Sequence, residues 1–94
     1  MELRQIITGK TDFMDLLLLG DEQEDMVMKY LERGEMAVLF DGKDAIAVSV
    51  VTKEEEGLWE LKNIAVLPSF QGKGYGKKLV RFWQEKMRGK AFCR

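Results

Sequence analysis

The chain has 94 residues, 46% hydrophobic and 33% charged, with a net charge of −1, the make-up of one small globular domain with a thin core. It has no histidine and a single cysteine, which excludes imidazole bases, Ser-His and Cys-His nucleophile pairs, histidine metal ligands, an internal disulfide and a cysteine zinc cluster. Chemistry is left to carboxylates, lysines, tyrosines, hydroxyls and backbone amides.

Met1 to Thr8 carries Leu3, Ile6 and Ile7 and reads as a first strand. Thr11 is placed to cap a short helix running to Leu19, with Asp12 and Asp15 near its positive end and Gly20 as its stop. Asp21 followed by Glu24 resembles a capping box for a second helix, in which Met26, Val27, Tyr30 and Leu31 share a face, Arg33 sits in the last turn and Gly34 ends it. The period then shortens. Met36 to Phe40 is an apolar run, Asp41-Gly42 a hairpin signal, and Ala45 to Val51 a second run rich in β-branched residues. Lys53 to Gly57 reads as a polar turn, since three successive glutamates repel one another. Leu58 to Leu67 is the third strand of this antiparallel run, closed by Pro68. Gln71 to Gly76 is a glycine-rich loop. Leu79, Val80, Trp83 and Met87 line one face of a final helix that Gly89 can end, and Ala91-Phe92-Cys93 can begin another strand. The sequence therefore predicts an α/β (α+β-like) domain over residues 1–94 in the order β-α-α-β-β-β-α. Trp59, Trp83, Met26, Met28 and Met36 are expected to pack.

No apolar run approaches the roughly 20 residues that span a bilayer, and the N-terminus lacks a basic segment followed by an apolar one. A cytoplasmic protein is expected. Charge is segregated: residues 1–61 hold 15 acidic and 6 basic side chains, residues 62–94 hold 9 basic and one acidic. That asymmetry fits either an anionic partner for the second part or two halves that attract each other.

The informative segment is the loop before the last helix. Its glycines permit positive φ and close backbone approach, and the first turn of a helix presents amides without internal partners and a partial positive charge. Together these make a phosphate cradle. Lys73, Lys77, Lys78 and Arg81 lie before or within the first turns, where cations oppose the helix dipole by roughly 0.3–1 kcal/mol each. A bound polyanion would reverse that penalty. The segment is not a P-loop, because Gly76 is followed by Lys77-Lys78. It is not a dinucleotide fingerprint either: its spacing is Gly-x-Gly-x-Gly, the preceding strands are antiparallel, and no aspartate follows.

Ile64-Ala65-Val66-x-Pro68, followed by Gln71-x-x-Gly74-x-Gly76, resembles the acyl-CoA-binding motif of the GCN5-related N-acetyltransferases (GNAT). The resemblance implies a mostly antiparallel sheet with flanking helices. It implies that the amides of Gly72, Lys73, Gly74, Tyr75, Gly76 and Lys77 hold the pyrophosphate of coenzyme A, with Gln71 opening the motif. The backbone of Ile64, Ala65 and Val66 would receive the pantetheine arm and acyl carbonyl. It implies transfer of an acetyl group from acetyl-CoA to a primary amine, on a small molecule or a peptide, with no metal. Glu60, six residues before Val66, matches the position where some members carry a general base, and an ion-paired strand glutamate is the competing reading. Neither Tyr30 nor Tyr75 matches the family's tyrosine acid. Asp21, Glu22, Glu24 and Asp25 would suit a cationic acceptor or be an ordinary solvated face.

Members of the family continue beyond the equivalent of this chain's last residues with further strands and a helix, so the resemblance covers the N-terminal part of their domain. A strand edge left bare by that shortfall is expected to drive a homodimer or strand exchange. Two other functions fit less of the sequence: an acyl-CoA-binding module without turnover, and a small nucleic-acid-binding domain using the basic final segment.

Overall fold

A computed structural model describes residues 1–93. Five strands form one sheet in sequence order: β1 (Glu2–Ile6), β2 (Glu35–Asp41), β3 (Asp44–Glu55), β4 (Leu58–Val66) and β5 (Ala91–Cys93). The first four pair antiparallel, and β5 runs parallel to β4 over Leu58–Glu60. Helices α1 (Met14–Gly20) and α2 (Glu24–Leu31) cover one face, and α3 (Tyr75–Lys86), the crossover between β4 and β5, covers the other. The predicted order and class hold, and Ala91-Phe92-Cys93 does start a strand.

Strand alternation divides the core in two. Val48 and Val50 of β3 face α1 and α2, where they meet Leu17, Val27 and Leu31. Ala47 and Val51 face α3 and meet Leu79, Trp83 and Met87. Each interior contains a polar contact with a specific geometry. Under α3, the indole N–H of Trp83 donates to Ser49 Oγ at 2.8 Å. Under α1 and α2, Asn63 Nδ2 donates to the Leu17 carbonyl at 2.9 Å and to the Tyr30 hydroxyl at 3.0 Å. One side chain of β4 thereby ties both helices to the sheet. Its Oδ1 is buried and has no hydrogen-bond partner among the described residues.

Several local expectations are corrected. Thr11 caps nothing: a 3₁₀ turn, Lys10–Phe13, follows Gly9 at φ 71°, and α1 begins only at Met14. Lys10 is the reason, because its ammonium donates to the carbonyls of Leu31, Glu32 and Gly34, at 2.6 Å for the last, and so caps the C-terminus of α2. Asp21 and Glu24 form no capping box; α2 starts at Glu24, and Asp21 Oδ1 instead accepts from the Gln23 amide at 3.2 Å. Gly20 is the last residue of α1 and has no positive φ. It is glycine because a Cβ there would run into Asn63 and lie 3.0 Å from the Ile64 carbonyl. Gly34 is similar, since a Cβ would stand 2.7 Å from Val50 Cγ1. The run Lys53–Glu55 is strand, not turn. Within it Glu54 pairs with Arg33 at 3.2 Å, and Lys53 pairs with Glu56, just beyond the strand, at 2.6 Å. Met36 and Trp83 are core, whereas Met26 and Met28 stand in solvent. Among the described residues no helix is long and apolar enough to cross a membrane.

Candidate functional site

Two irregularities in β4 shape the site. Register with β3 slips between Val50 and Val51, whose partners are Asn63 and Leu61, so Lys62 has no opposite residue and forms a bulge. Beyond the bulge Ile64 and Val66 point toward α3, and Asn63 and Ala65 toward α1. On the side away from β3, the edge of β4 from Leu61 to Val66 has no strand partner among the described residues.

After β4 the chain makes a 3₁₀ turn, Pro68–Phe70, in which the amides of Leu67, Phe70 and Gln71 all have backbone acceptors. The loop then changes character. Gly72 and Gly74 adopt φ of 77° and 87°, a conformation that only glycine takes freely. The next amide with a backbone acceptor is Lys78, bonded to the Gly74 carbonyl at 3.1 Å. Among the described residues, the amides of Gly72, Lys73, Gly74, Tyr75, Gly76 and Lys77 have no acceptor, and no side chain caps α3. A Cβ on Gly72 or Gly74 would meet nothing within 4 Å, so their glycines answer a conformational need and leave the space before the amides open. Phe70 and Tyr75 brace the loop with ring centroids 6.2 Å apart, and Lys73 Nζ lies 5.9 Å from the Phe70 ring.

The loop opens onto a groove of about 560 Å³ between β4 and α3. Ile64 and Val66 line its strand side; Gly76, Lys77, Val80, Arg81 and Gln84 line its helix side. Gln71 closes the junction by donating from Nε2 to the Val66 carbonyl at 3.0 Å. Lys73, Lys77, Lys78 and Arg81 are exposed and, among the described residues, unpaired with any carboxylate. The first turn of α3 contains no acidic residue. The field at this mouth is positive.

Glu60 lies on β4 before the bulge. Its Oε2 is 2.5 Å from Lys62 Nζ, and both side chains are about a quarter exposed. The hydrogen bond to Glu60 raises the pKa of Lys62 above its ordinary value; burial opposes this, and the charges of Glu60 and Glu54 add to it. Tyr30, beneath Asn63, has its pKa raised chiefly by burial.

The sequence-predicted residues therefore separate. Ile64, Val66, Gln71, Gly76 and Lys77 come together in the groove; Gly72, Lys73, Gly74 and Tyr75 form its mouth. The side chain of Ala65 is buried under α1, which leaves only its backbone for a site. Glu60 stands apart with Lys62. Sequence reasoning missed Val80 and Gln84, although their spacing from Gly76 and Lys77 already put them on one helix face. It also missed Lys62, although its i, i+2 spacing from Glu60 already put the two on one face of a strand.

A family model described as "Acetyltransferase (GNAT) domain" matches residues 32–94. The chain is 45% identical over 69 residues to an uncharacterized N-acetyltransferase, YvbK, of Bacillus subtilis (strain 168), covering 73% of this chain and 44% of that protein. Its structure is similar to a Bacillus subtilis acetyltransferase in complex with CoA, at TM-score 0.85 and 37% identity over 95% of this chain and 60% of the other. It is also similar to an IAA acetyltransferase from Bacillus cereus ATCC 14579, at TM-score 0.82 and 35% identity over 94% and 59%. A third similar structure, from Elizabethkingia anophelis with acetyl-CoA bound, has TM-score 0.82 and 27% identity over 92% and 58%. The chain spans about half the length of these relatives.

Proposed function

The chain belongs to the GNAT acetyltransferase family, and from that premise we propose that it binds acetyl-CoA in the groove between β4 and α3 and passes the acetyl group to a primary amine. The observation that carries this reading is the run of six amides at the mouth of α3 that have no acceptor among the described residues. A diphosphate needs several converging donors and a positive field, and both are supplied by backbone that has no other partner. The glycines leave room for a close approach, and Lys73, Lys77 and Arg81 offset the remaining phosphate charge.

From the loop, the bare edge of β4 leads away toward the sheet centre. In this reading Ile64, Ala65 and Val66 offer main-chain groups to the amides of the pantetheine arm, and Gln71 holds the end of the strand against the loop. The bound coenzyme supplies an activated thioester. The acceptor must lose a proton before it attacks. Glu60 is the carboxylate we assign to take it, with Lys62 paired to that carboxylate and orienting it. Asp21, Glu22, Glu24 and Asp25 surround the corner between α1 and α2 and favour a cationic acceptor, a small amine or a peptide.

Calorimetric titration with acetyl-CoA tests the reading. Binding is expected, and it should weaken as salt is raised because cations assist it. Absence of heat and of any thermal shift at millimolar acetyl-CoA would overturn it.

A further inference from the structure

Glu60 already has a primary amine of its own chain beside it. Lys62 Nζ sits 2.5 Å from Glu60 Oε2. Three features make this more than a surface pair. Both side chains are largely covered, at 26% and 27% exposure. Lys62 is the unopposed residue of the β-bulge and, two residues on from Glu60, shares its face of the strand. It also lies two residues before Ile64, about 7 Å of strand from the edge assigned to the acyl group, within the sweep of a flexible four-carbon stem. A carboxylate, an amine hydrogen-bonded to it and a thioester site assigned further along the same strand are the groups that acyl transfer to nitrogen requires.

We propose that Lys62 is itself an acceptor, so that the chain acetylates its own Lys62 when acetyl-CoA is bound. The inference rests on the acyl-transfer reading above. The carboxylate of Glu60 takes a proton from the Lys62 ammonium, and the nitrogen lone pair attacks the thioester carbonyl carbon. A C–N bond forms as the C–S bond breaks; the sulfur leaves with the electron pair and takes up the proton held by Glu60, and the acylated nitrogen gives up its second proton through the re-ionised carboxylate to water. Thioester and amine become amide and thiol, with no oxidant or reductant. The product has no charge on Lys62, so Glu60 loses its paired cation and Glu54 loses the nearby positive charge.

Chemical reactivity predicts the opposite order of labelling, which makes the test sharp. Lys73, Lys77, Lys78 and Lys90 are exposed, whereas Lys62 is covered and its ammonium is stabilised by Glu60. A free acetylating reagent should therefore reach Lys62 late. The experiment treats the whole chain with acetyl-CoA or, separately, with acetic anhydride and no coenzyme, and follows each lysine by peptide mass spectrometry. Acetyl-CoA is expected to mark Lys62 first and the anhydride to mark it after the exposed lysines. Glu60→Gln should slow the coenzyme-driven labelling by about a hundredfold, the range of a lost general base, without changing the anhydride order. Lys62→Arg should abolish the early label and still give heat with acetyl-CoA. Labelling by acetyl-CoA in the same order as by anhydride would overturn the proposal. If acetyl-CoA binds and Lys62 stays unmodified, self-acetylation fails alone; if it does not bind, the acyl-transfer reading fails and self-acetylation with it.

Discussion

Two glycines in the loop, two positions apart, should respond to the same substitution with opposite signs. Gly74 has φ 87° and ψ 9° at the N-cap of α3, and a Cβ there would meet no atom within 4 Å. Gly74→Ala therefore introduces no clash, only a left-handed alanine, at about 1–2 kcal/mol. In a domain this size that lowers Tm by about 4–16 °C. Gly76 is the second residue of α3 and has no positive φ. Its added methyl would lie 3.8 Å from Ile64 Cδ1 and 3.9 Å from Val66 Cγ2, ordinary contact distances. Gly76→Ala gains helix propensity of about 0.5 kcal/mol, a rise of about 2–4 °C. Binding should also separate the two. If Gly74→Ala tilts the amides of residues 74 and 75 away from the phosphate, each charge-assisted bond lost removes about 1.5–3 kcal/mol, roughly ten- to a hundredfold in Kd. Gly76→Ala moves no amide and should leave the Kd within about threefold. Thermal unfolding and calorimetry with acetyl-CoA measure both effects. Two downward Tm shifts, or a Gly74→Ala variant as stable and as tight-binding as the parent, would refute the argument from backbone conformation.

Three further outcomes follow from the packing. Gly20→Ala drives a methyl against Asn63 and the Ile64 carbonyl and should cost about 1–3 kcal/mol in urea unfolding; unchanged stability would mean that α1 does not seat on β4 as described. Ser49→Ala leaves the buried Trp83 N–H without its acceptor and should cost about 1–3 kcal/mol, read by denaturation with tryptophan fluorescence. Tyr30→Phe removes the hydroxyl that accepts from Asn63 and should lower stability at neutral pH. It should also flatten the alkaline limb. Burial raises the Tyr30 pKa above its ordinary 10, so the unfolded chain loses this proton first and parent stability falls as pH climbs beyond that value. Denaturant titrations of parent and variant over a pH series give the difference, and parallel curves would show that Tyr30 does not contribute.

The amino-acid sequence by itself determined the order of elements and the nature of the loop, because both rest on local physics. Turns at Gly42 and Gly89 and the left-handed positions at Gly72 and Gly74 follow from backbone conformations that glycine alone takes without strain. Strand alternation and the face of α3 follow from periods of 2 and 3.6. The cations ahead of α3 could be recognised as misplaced from the helix dipole alone. What lay beyond the sequence depends on groups far apart in the chain. Lys10 reshapes the start of α1 because its ammonium finds carbonyls some twenty residues on, and no window around Thr11 contains them. Gly20 and Gly34 look like helix stops but are required by atoms of β4 and β3 pressed against them. The extension of β3 through Glu55 depends on its pairing with β4 back to Leu58. That Lys62 has no residue opposite it depends on a one-residue slip against β3, and a slip in register is decided by how two strands pack, not by either strand read alone.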